Sequence, residues 1–174
     1  KYLQTYKNYN LQVIGICDDV LYAKYRNIIR DYKIANQVYF PNRFFSEEEL
    51  QSISKKCFVG IAPYITGKNN GTYFVDPGNV KAYAELGLPI IMSNTSSILP
   101  YIKKFKAGEV IKRDVASLYQ AIGKVQQDYK KYLEGLKKFN EYFYYDKYYA
   151  KNFNFLENLK KKDDKWKKTF KKKK

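Results

Sequence analysis

The sequence contains no histidine, two cysteines, one methionine and one tryptophan among its 174 residues. Without histidine the chain cannot carry a Ser-His-Asp triad or histidine-based acid–base catalysis, and a zinc site is not expected. Cys17 and Cys57 lie in or next to apolar, strand-like segments, so we expect buried free thiols and no disulfide framework. Long hydrophobic runs are also missing, since no stretch approaches the roughly 18–20 apolar residues that a membrane span requires.

Arginine is scarce as well, with 4 arginines against 29 lysines, and the positive charge is uneven. Residues 1–110 carry 14 basic and 9 acidic side chains, whereas residues 111–174 carry 19 and 8. We favour a compositional bias toward lysine with a solvated basic surface, and keep attraction of the basic C-terminal region to anionic lipid as the alternative. Nucleic acid is not expected as a partner, because specific binders tend to use arginine forks.

Short apolar runs alternate with amphipathic segments along most of the chain. The expected strands are residues 11–17, 38–40, 57–62, 88–92 and 108–111. The expected helices between and after them are residues 20–34, 46–56, 77–86 and 98–105, followed by an amphipathic helix that Asp114 caps. Ser46 and Glu49 predict a capping box, and residues 93–97 offer caps for the helix at 98–105. In the last helix Val115, Leu118, Ile122 and Val125 are expected on the inward, apolar side. This alternation predicts an α/β fold with a Rossmann-like, doubly wound parallel sheet, in which the first two strands form a parallel crossover unit.

We divide the chain into a Rossmann-like domain at residues 1–130, closing C-terminal helices at 131–170 and a disordered tail at 171–174. A helix over residues 153–166 is expected to close the fold. The sequence starts at a lysine and shows no leader peptide, so we expect a piece of a longer protein that lacks an N-terminal strand. Residues 64–75 form a long loop rich in glycine and asparagine, which we interpret as functional, with a surface excursion as the alternative.

The segment from Asp76 to Met92 combines a helix start with a core strand. Asp76 before Pro77 reads as an N-cap followed by the first helical residue, and Gly87 supplies the left-handed stop. The N–H groups at such a helix start form an anion site. Asp76 therefore has two interpretations, a structural N-cap, which we favour, and a ligand contact. Lys81 either reaches a phosphate or is solvated, and Tyr83 is expected to pack in the core.

This segment resembles the donor site of a known enzyme family. It reads Asp76-Pro77-Gly78-Asn79-Val80-Lys81, then Tyr83, then Gly87-Leu88-Pro89-Ile90-Ile91. The order is similar to that in the C-terminal domain of GT-B glycosyltransferases of the group-1, family-4-like class. Residues 46–50 followed by 57–63, and residues 107–111 followed by a helix at 114, are similar to the same domain. The resemblance implies the C-terminal half of a GT-B fold with extra C-terminal helices.

The resemblance also implies an activity and its partners. The chain would bind a nucleotide-sugar donor, a UDP- or GDP-sugar, for hexosyl transfer to a glycan or lipid-linked acceptor in polysaccharide biosynthesis. It would need neither a cofactor nor a metal, and would be inactive alone, because an N-terminal domain of the same protein would bind the acceptor. A cytoplasmic location, peripheral at the inner face of the membrane, would follow.

Two groups of residues are implied as donor-binding. Pro41, Asn42 and Arg43 would hold the base, mostly through backbone groups. Gly78, Asn79 and Val80 would hold the diphosphate through helix N–H groups, with Asp76 as a further donor-binding candidate. The resemblance identifies no catalytic residue in this chain.

The sequence also departs from the family pattern. Ala82 stands where the family commonly has a glutamate for the ribose hydroxyls, and Glu85 lies on a different helix face. Asn79 stands where a lysine is expected, the turn after Gly15 lacks a second glycine, and the usual diphosphate-clamping Arg/Lys pair is not in the chain. The alternative is therefore a non-catalytic glycosyltransferase-like binding or scaffolding module with a decayed donor site.

Overall fold

The computed structural model describes residues 2–65, 76–95 and 97–171, in which short parallel strands alternate with helices. The helices are α1 (Tyr2–Thr5), α2 (Asp19–Asp31), α3 (Glu47–Ser54), α4 (Gly78–Glu85), α5 (Leu99–Phe105), α6 (Val115–Gln127), α7 (Tyr129–Phe143) and α8 (Tyr145–Lys171). The strands are β1 (Leu11–Gln12), β2 (Val38–Tyr39), β3 (Gly60–Ala62), β4 (Ile90–Ser93) and β5 (Gly108–Ile111). A 3₁₀ turn over Ala35–Gln37 precedes β2.

The strands are parallel but belong to two sheets. In the first, β1 pairs with β2, and Leu11 lies opposite Val38. In the second, the order is β3-β4-β5, and Ile90 lies opposite both Gly60 and Gly108. The α/β fold and the parallel pairing are as predicted, and β5 is an edge strand. The single continuous sheet that we expected is divided between β1 and β3 in the part of the chain that the structure describes.

The first four strands are shorter than predicted, and the first and third differ most. The first ends at Gln12 rather than Cys17, because Gly15 has φ 136° and forms only an isolated bridge to Arg43. The backbone of Cys17 is bonded by the Asn42 side chain and not by a neighbouring strand. The third strand starts at Gly60 rather than Cys57, since the Cys57 N–H still bonds the last turn of α3.

Helix starts follow from short-range capping. Asp18 accepts a hydrogen bond from the Leu21 N–H at 2.8 Å, and Asp114 accepts one from the Ser117 N–H at 2.7 Å. Ser46 and Glu49 form the predicted capping box at α3. The expected cap for α5 among residues 93–97 is wrong, because its N-cap is Ile98, which makes no side-chain cap hydrogen bond.

The core lies around β4, whose four residues are all buried, as predicted for a strand covered on both faces. One side of it is covered by α4, α5 and α7, and Phe139 of α7 is among the largest fully buried side chains. The other side packs against α6 through Ile122 and Val125. The prediction that Val115 faces inward is wrong, since it is 45% exposed at the first position of α6.

Other expectations have mixed outcomes. Cys17 and Cys57 are free but only half-buried. The expected closing helix is part of the longer α8, which ends at Lys171. Residues 66–75 of the predicted long loop and residues 172–174 lie outside the described residues. None of the described helices is long and apolar enough to cross a lipid bilayer.

Candidate functional site

The carboxyl ends of β3 and β4 meet the start of α4, the place where ligands bind in open α/β sheets. Ser93, the last residue of β4, donates from Oγ to the Tyr64 carbonyl just after β3, at 2.7 Å. The Tyr64 hydroxyl in turn donates to the side-chain oxygen of Asn79 in the first turn of α4. Burial raises the pKa of Tyr64, although the contact with Asn79 opposes the shift. The tyrosine thus stays protonated and ties the two strand ends to the helix start.

The start of α4 differs from the prediction. The N-cap is Pro77, whose carbonyl accepts from the Val80 N–H at 3.1 Å, so the prediction of Asp76 as N-cap is wrong. The Asp76 carboxylate instead accepts a hydrogen bond from Lys81 Nζ at 2.6 Å. Proline is tolerated at this position because the backbone N–H that it lacks would have no partner within the helix. The Asp76 carboxylate is then available to pair with Lys81.

Lys81 lines a cavity. Its side chain is 19% exposed, against 56% for Asp76, and its Nζ lies 5.2 Å from the centre of the Phe143 ring. Packing of this kind restricts the lysine to few conformations. Its ammonium and the N-terminal end of the α4 dipole then add up to a local positive field.

The cavity has a volume of about 900 Å³, within the range of small-molecule sites. Its lining residues come from the start of α4, the start of α5, the end of α7 and the first turns of α8: Asp76, Gly78, Lys81, Ser97, Ile98, Tyr101, Tyr142, Phe143, Tyr149, Lys151 and Asn152. Tyr101 packs against Tyr142 and Phe143, with ring centroids 4.9 and 5.1 Å apart. The cavity therefore combines an aromatic wall with two lysines and one carboxylate.

The predicted diphosphate residues are divided between the cavity and the core. Gly78 and Asp76 line the cavity. Asn79 is bonded to Tyr64 through its side chain, and Val80 is fully buried with its N–H bonded to Pro77. The Val80 N–H is therefore already engaged within the chain, and its buried side chain does not line the cavity. Ala82 is exposed on the next turn of the helix.

The predicted base-binding residues, Pro41, Asn42 and Arg43, follow β2 and do not line this cavity. The Asn42 amide accepts from the Cys17 N–H at 2.8 Å and donates to the Cys17 carbonyl at 3.2 Å. Arg43 contacts the Glu49 carboxylate at 2.6 and 3.1 Å and stacks 4.0 Å from the centre of the Phe45 ring. Hydrogen bonds from Arg43 and from the Ser46 backbone lower the pKa of Glu49 to about 2. The polar side chains of this loop are thus already engaged within the chain.

Sequence reasoning missed the aromatic wall. The bond between Tyr64 and Ser93 could have been anticipated from the sequence, because each residue lies within two positions of the end of a predicted strand. Tyr101 and Tyr142 lie 41 residues apart on different helices, and nothing in their local sequence indicates that they meet. Among the described residues, no three histidine, cysteine, aspartate or glutamate side chains lie close enough together to hold a metal ion.

No family model matches the sequence, and no curated protein matches it. A solved structure does: the sucrose-phosphate synthase from Thermosynechococcus elongatus matches with a TM-score of 0.72 at 15% sequence identity. The chain has a glycosyltransferase-like fold. The match covers 91% of this chain, which spans only 40% of the length of the synthase. The Rossmann-like fold class is confirmed, while the group-1 class and the C-terminal half of a GT-B fold remain predictions.

Proposed function

We propose that the chain is the donor-binding domain of a GT-B glycosyltransferase, which transfers a hexose from a UDP- or GDP-sugar. The observation that carries this proposal is the 900 Å³ cavity at the start of α4, where Lys81 and the helix N-terminus meet an aromatic wall. A nucleoside diphosphate is an anion with a flat base and a sugar. The cationic end of the cavity suits its phosphates, and the aromatic side suits its rings.

The chemistry of this site is electrostatic. Breaking the bond between the sugar and the diphosphate develops negative charge on the leaving phosphate oxygen. Lys81 and the first N–H groups of α4 would stabilise that charge without needing a metal ion. Asp76 would hold the Lys81 ammonium in place before the donor arrives. An N-terminal domain of the same protein would bind the glycan or lipid-linked acceptor and supply the remaining catalytic groups.

Peripheral membrane contact belongs to the same proposal. Large apolar side chains of α8 are exposed: Tyr149, Phe153, Phe155, Leu156 and Leu159. Lysines on the same helix, Lys151 and Lys160 to Lys162, would attract it to anionic lipid. A cytoplasmic enzyme acting on a lipid-linked acceptor would use this helix at the inner face of the membrane. Co-sedimentation with phosphatidylglycerol vesicles, but not with phosphatidylcholine vesicles, is the expected result.

A second candidate function is a non-catalytic module with a decayed donor site. The observation in its favour is that Asn42, Arg43 and Asn79 all use their side chains in internal contacts. Ala82 offers no hydrogen-bonding group at its position on α4. Such a module would keep the fold but would have no affinity for nucleotide-sugars.

Thermal shift separates the two candidates. The melting temperature of the chain is measured with UDP, GDP, ADP, CMP and their sugar conjugates at millimolar concentration. A ligand that binds only the folded state raises the free energy of unfolding by about 2.7 kcal/mol at 100 times its Kd. A Cβ at Gly78 meets no atom within 4 Å, so Gly78→Val should leave the fold intact while placing methyl groups at the cavity. We expect one nucleotide to raise the Tm of the wild type but not of Gly78→Val.

Gly123→Ala is the matched control, since Gly123 is also in open space and does not line the cavity. It should respond to the nucleotide as the wild type does. A folded chain that responds to no nucleotide would reject the donor-binding proposal in favour of the decayed module.

A further inference from the structure

A second small cavity is lined by residues of α1, of the turn that follows it and of α6. Its volume is about 420 Å³, and it shares no lining residue with the cavity at the start of α4. Four tyrosines line it: Tyr2, Tyr6, Tyr9 and Tyr119. Three glutamines of α6 line it as well: Gln120, Gln126 and Gln127. This tyrosine–glutamine cavity thus combines aromatic rings with side-chain amides.

The tyrosine rings pack against one another. Tyr6 stacks on Tyr119 with ring centroids 5.1 Å apart and an angle of 18° between the planes, and Tyr2 lies 4.7 Å from Tyr6. This stacking fastens α1 to α6, which gives the tyrosines a structural role. It leaves the Tyr119 side chain 49% exposed, and it does not account for the other residues of the cavity.

Gly123 is the first residue of the cavity that packing does not explain. A glycine inside a helix is destabilising relative to alanine, yet a Cβ at Gly123 would meet no atom within 4 Å. Gly135 of α7 is the opposite case, because its Cβ would overlap neighbouring backbone carbonyls. Gly123 lies one turn after Tyr119 and one turn before Gln127 on the same face of α6. Its missing side chain therefore leaves space between an aromatic residue and an amide.

The three glutamines are also unexplained by packing. All three are exposed, and none of their side chains makes a hydrogen bond within the part of the chain that the structure describes. A primary amide carries one carbonyl acceptor and two N–H donors, so it can bond both the proton and the oxygen of a hydroxyl group. Three such amides on one helix face suit a ligand with several hydroxyl groups.

The tyrosine–glutamine cavity is nearly neutral, although the chain has a net charge of +16. Lys124 is the one charged residue among its described lining residues, and the Lys124 ammonium lies 3.2 Å from the Glu109 carboxylate. A cavity along the outer edge of β5 is instead lined by four lysines: Lys103, Lys106, Lys112 and Lys131. An anion would be attracted to that surface first. The neutral cavity therefore suits an uncharged ligand.

We propose that the tyrosine–glutamine cavity binds a neutral oligosaccharide, a chain of hexopyranose rings without carboxylate or phosphate groups. A pyranose ring presents C–H bonds on its faces and hydroxyl groups around its rim. The C–H groups, which carry partial positive charge, pack against the negative face of the Tyr119 ring. The hydroxyl groups bond the amides of Gln120, Gln126 and Gln127, and one sugar ring occupies the space above Gly123. The volume lies at the lower end of the range for small-molecule sites.

A proline-rich peptide is the rival ligand, because aromatic-lined grooves also bind such peptides. Its backbone supplies carbonyl acceptors but few N–H donors. It would therefore use only the N–H groups of the glutamines, whereas sugar hydroxyls use both ends of each amide. The three amides favour the saccharide.

The test is an NMR titration of the ¹⁵N-labelled 174-residue chain with four neutral oligosaccharides: maltohexaose, cellotetraose, laminarihexaose and mannohexaose. We expect at least one of them to shift the side-chain NH₂ signals of Gln120, Gln126 and Gln127 saturably, with a Kd on the order of 1 mM. The side-chain NH₂ signals of Gln51 serve as the internal reference, since Gln51 is exposed on α3 and does not line the cavity.

Substitutions separate the contribution of the ring from that of the space. Tyr119→Leu keeps an apolar side chain but removes the ring and should weaken binding roughly two- to tenfold, whereas Tyr119→Phe should bind as the wild type does. Gly123→Leu fills the space with a better helix former and should weaken binding at least about tenfold without lowering the Tm. Ala116→Leu is the matched control, because Ala116 is exposed on the same helix and does not line the cavity. None of these residues lines the cavity at α4, so the result does not depend on nucleotide binding there.

Three results would overturn the proposal. The first is that none of the four oligosaccharides shifts the glutamine signals at about 10 mM, ten times the expected Kd. The second is that Tyr119→Leu and Gly123→Leu bind an oligosaccharide as tightly as the wild type does. The third is that hexagalacturonate or decaproline shifts the same signals at a lower concentration than every neutral oligosaccharide, which would identify the ligand as an anion or a proline-rich peptide.

Discussion

The Lys81 ammonium lies 2.6 Å from the Asp76 carboxylate at the start of α4, and both residues line the aromatic cavity. Together with Lys151, this pair sets the charge that the cavity presents to an anion. Removing either partner changes that charge in opposite directions, so the two substitutions should have opposite effects on nucleotide binding.

Lys81→Met should weaken the binding of a nucleoside diphosphate by about 10- to 100-fold, the loss expected for a charge-assisted hydrogen bond of roughly 1.5–3 kcal/mol. Asp76→Asn should strengthen it, because Lys81 then keeps its full charge. Calorimetric titration with the nucleotide found by thermal shift measures both. Lys124→Met is the control, since Lys124 pairs with Glu109 and does not line the cavity. Equal affinity for wild type and Lys81→Met would show that phosphates bind elsewhere.

Two helical glycines should respond in opposite ways to alanine. A Cβ at Gly123 in α6 meets no atom within 4 Å, so Gly123→Ala should raise the free energy of unfolding by about 0.5–1 kcal/mol. A Cβ at Gly135 in α7 would overlap the carbonyl oxygens of Phe105 and Lys106, so Gly135→Ala should lower it by about 1–3 kcal/mol. Urea unfolding followed by circular dichroism gives both values. A stabilised Gly135→Ala variant would contradict the close packing of α7 on α5.

Two phenylalanines test which C-terminal helix belongs to the core. Phe139 of α7 is fully buried, whereas Phe153 of α8 is 61% exposed. Phe139→Ala should lower the free energy of unfolding by about 3–5 kcal/mol. Phe153→Ala should change it by less than about 0.5 kcal/mol. Similar losses for the two variants would mean that α8 is packed as tightly as α7.

Acid should weaken the contact between Arg43 and Glu49. The pKa of Glu49 falls from 4.5 to about 2 in the folded chain, because Arg43 and the Ser46 backbone donate hydrogen bonds to its carboxylate. Because the pKa is lowered by folding, the ionised Glu49 carboxylate stabilises the folded state fully above about pH 4.5. That stabilisation is lost as the pH falls toward 2. The Tm difference between wild type and Glu49→Gln should therefore shrink over that range.

NMR titration gives the direct measurement for this pair. The Glu49 carboxyl should titrate near pH 2 in the wild type and closer to 4.5 in Arg43→Met. Both side chains are partly exposed, so the contribution to stability is small and decreases with salt. A Glu49 pKa that is the same in both proteins would exclude Arg43 as the cause.

Much of the secondary structure was predictable because it depends on contacts within a few residues. Asp18, Ser46 and Asp114 cap their helices through N–H groups three residues away. The apolar run before Ser93 indicated a buried strand, which it is. The cap predicted at Asp76 failed because a lysine five residues along competes for the same carboxylate. The Asp76 carboxylate could either cap the helix or pair with Lys81, and the sequence pattern does not show which interaction is stronger.

The sequence by itself determined the alternation of strands and helices, and with it the parallel α/β class. Only the tertiary structure decided that the strands of the described residues form two sheets. It also decided that Tyr101 and Tyr142 form a wall beside Lys81, and that Asn42 bonds Cys17 across 25 residues. Periodicity and capping are short-range effects that each segment carries in its own residues. The candidate site instead arises where separate segments pack together, so its geometry depends on the whole fold.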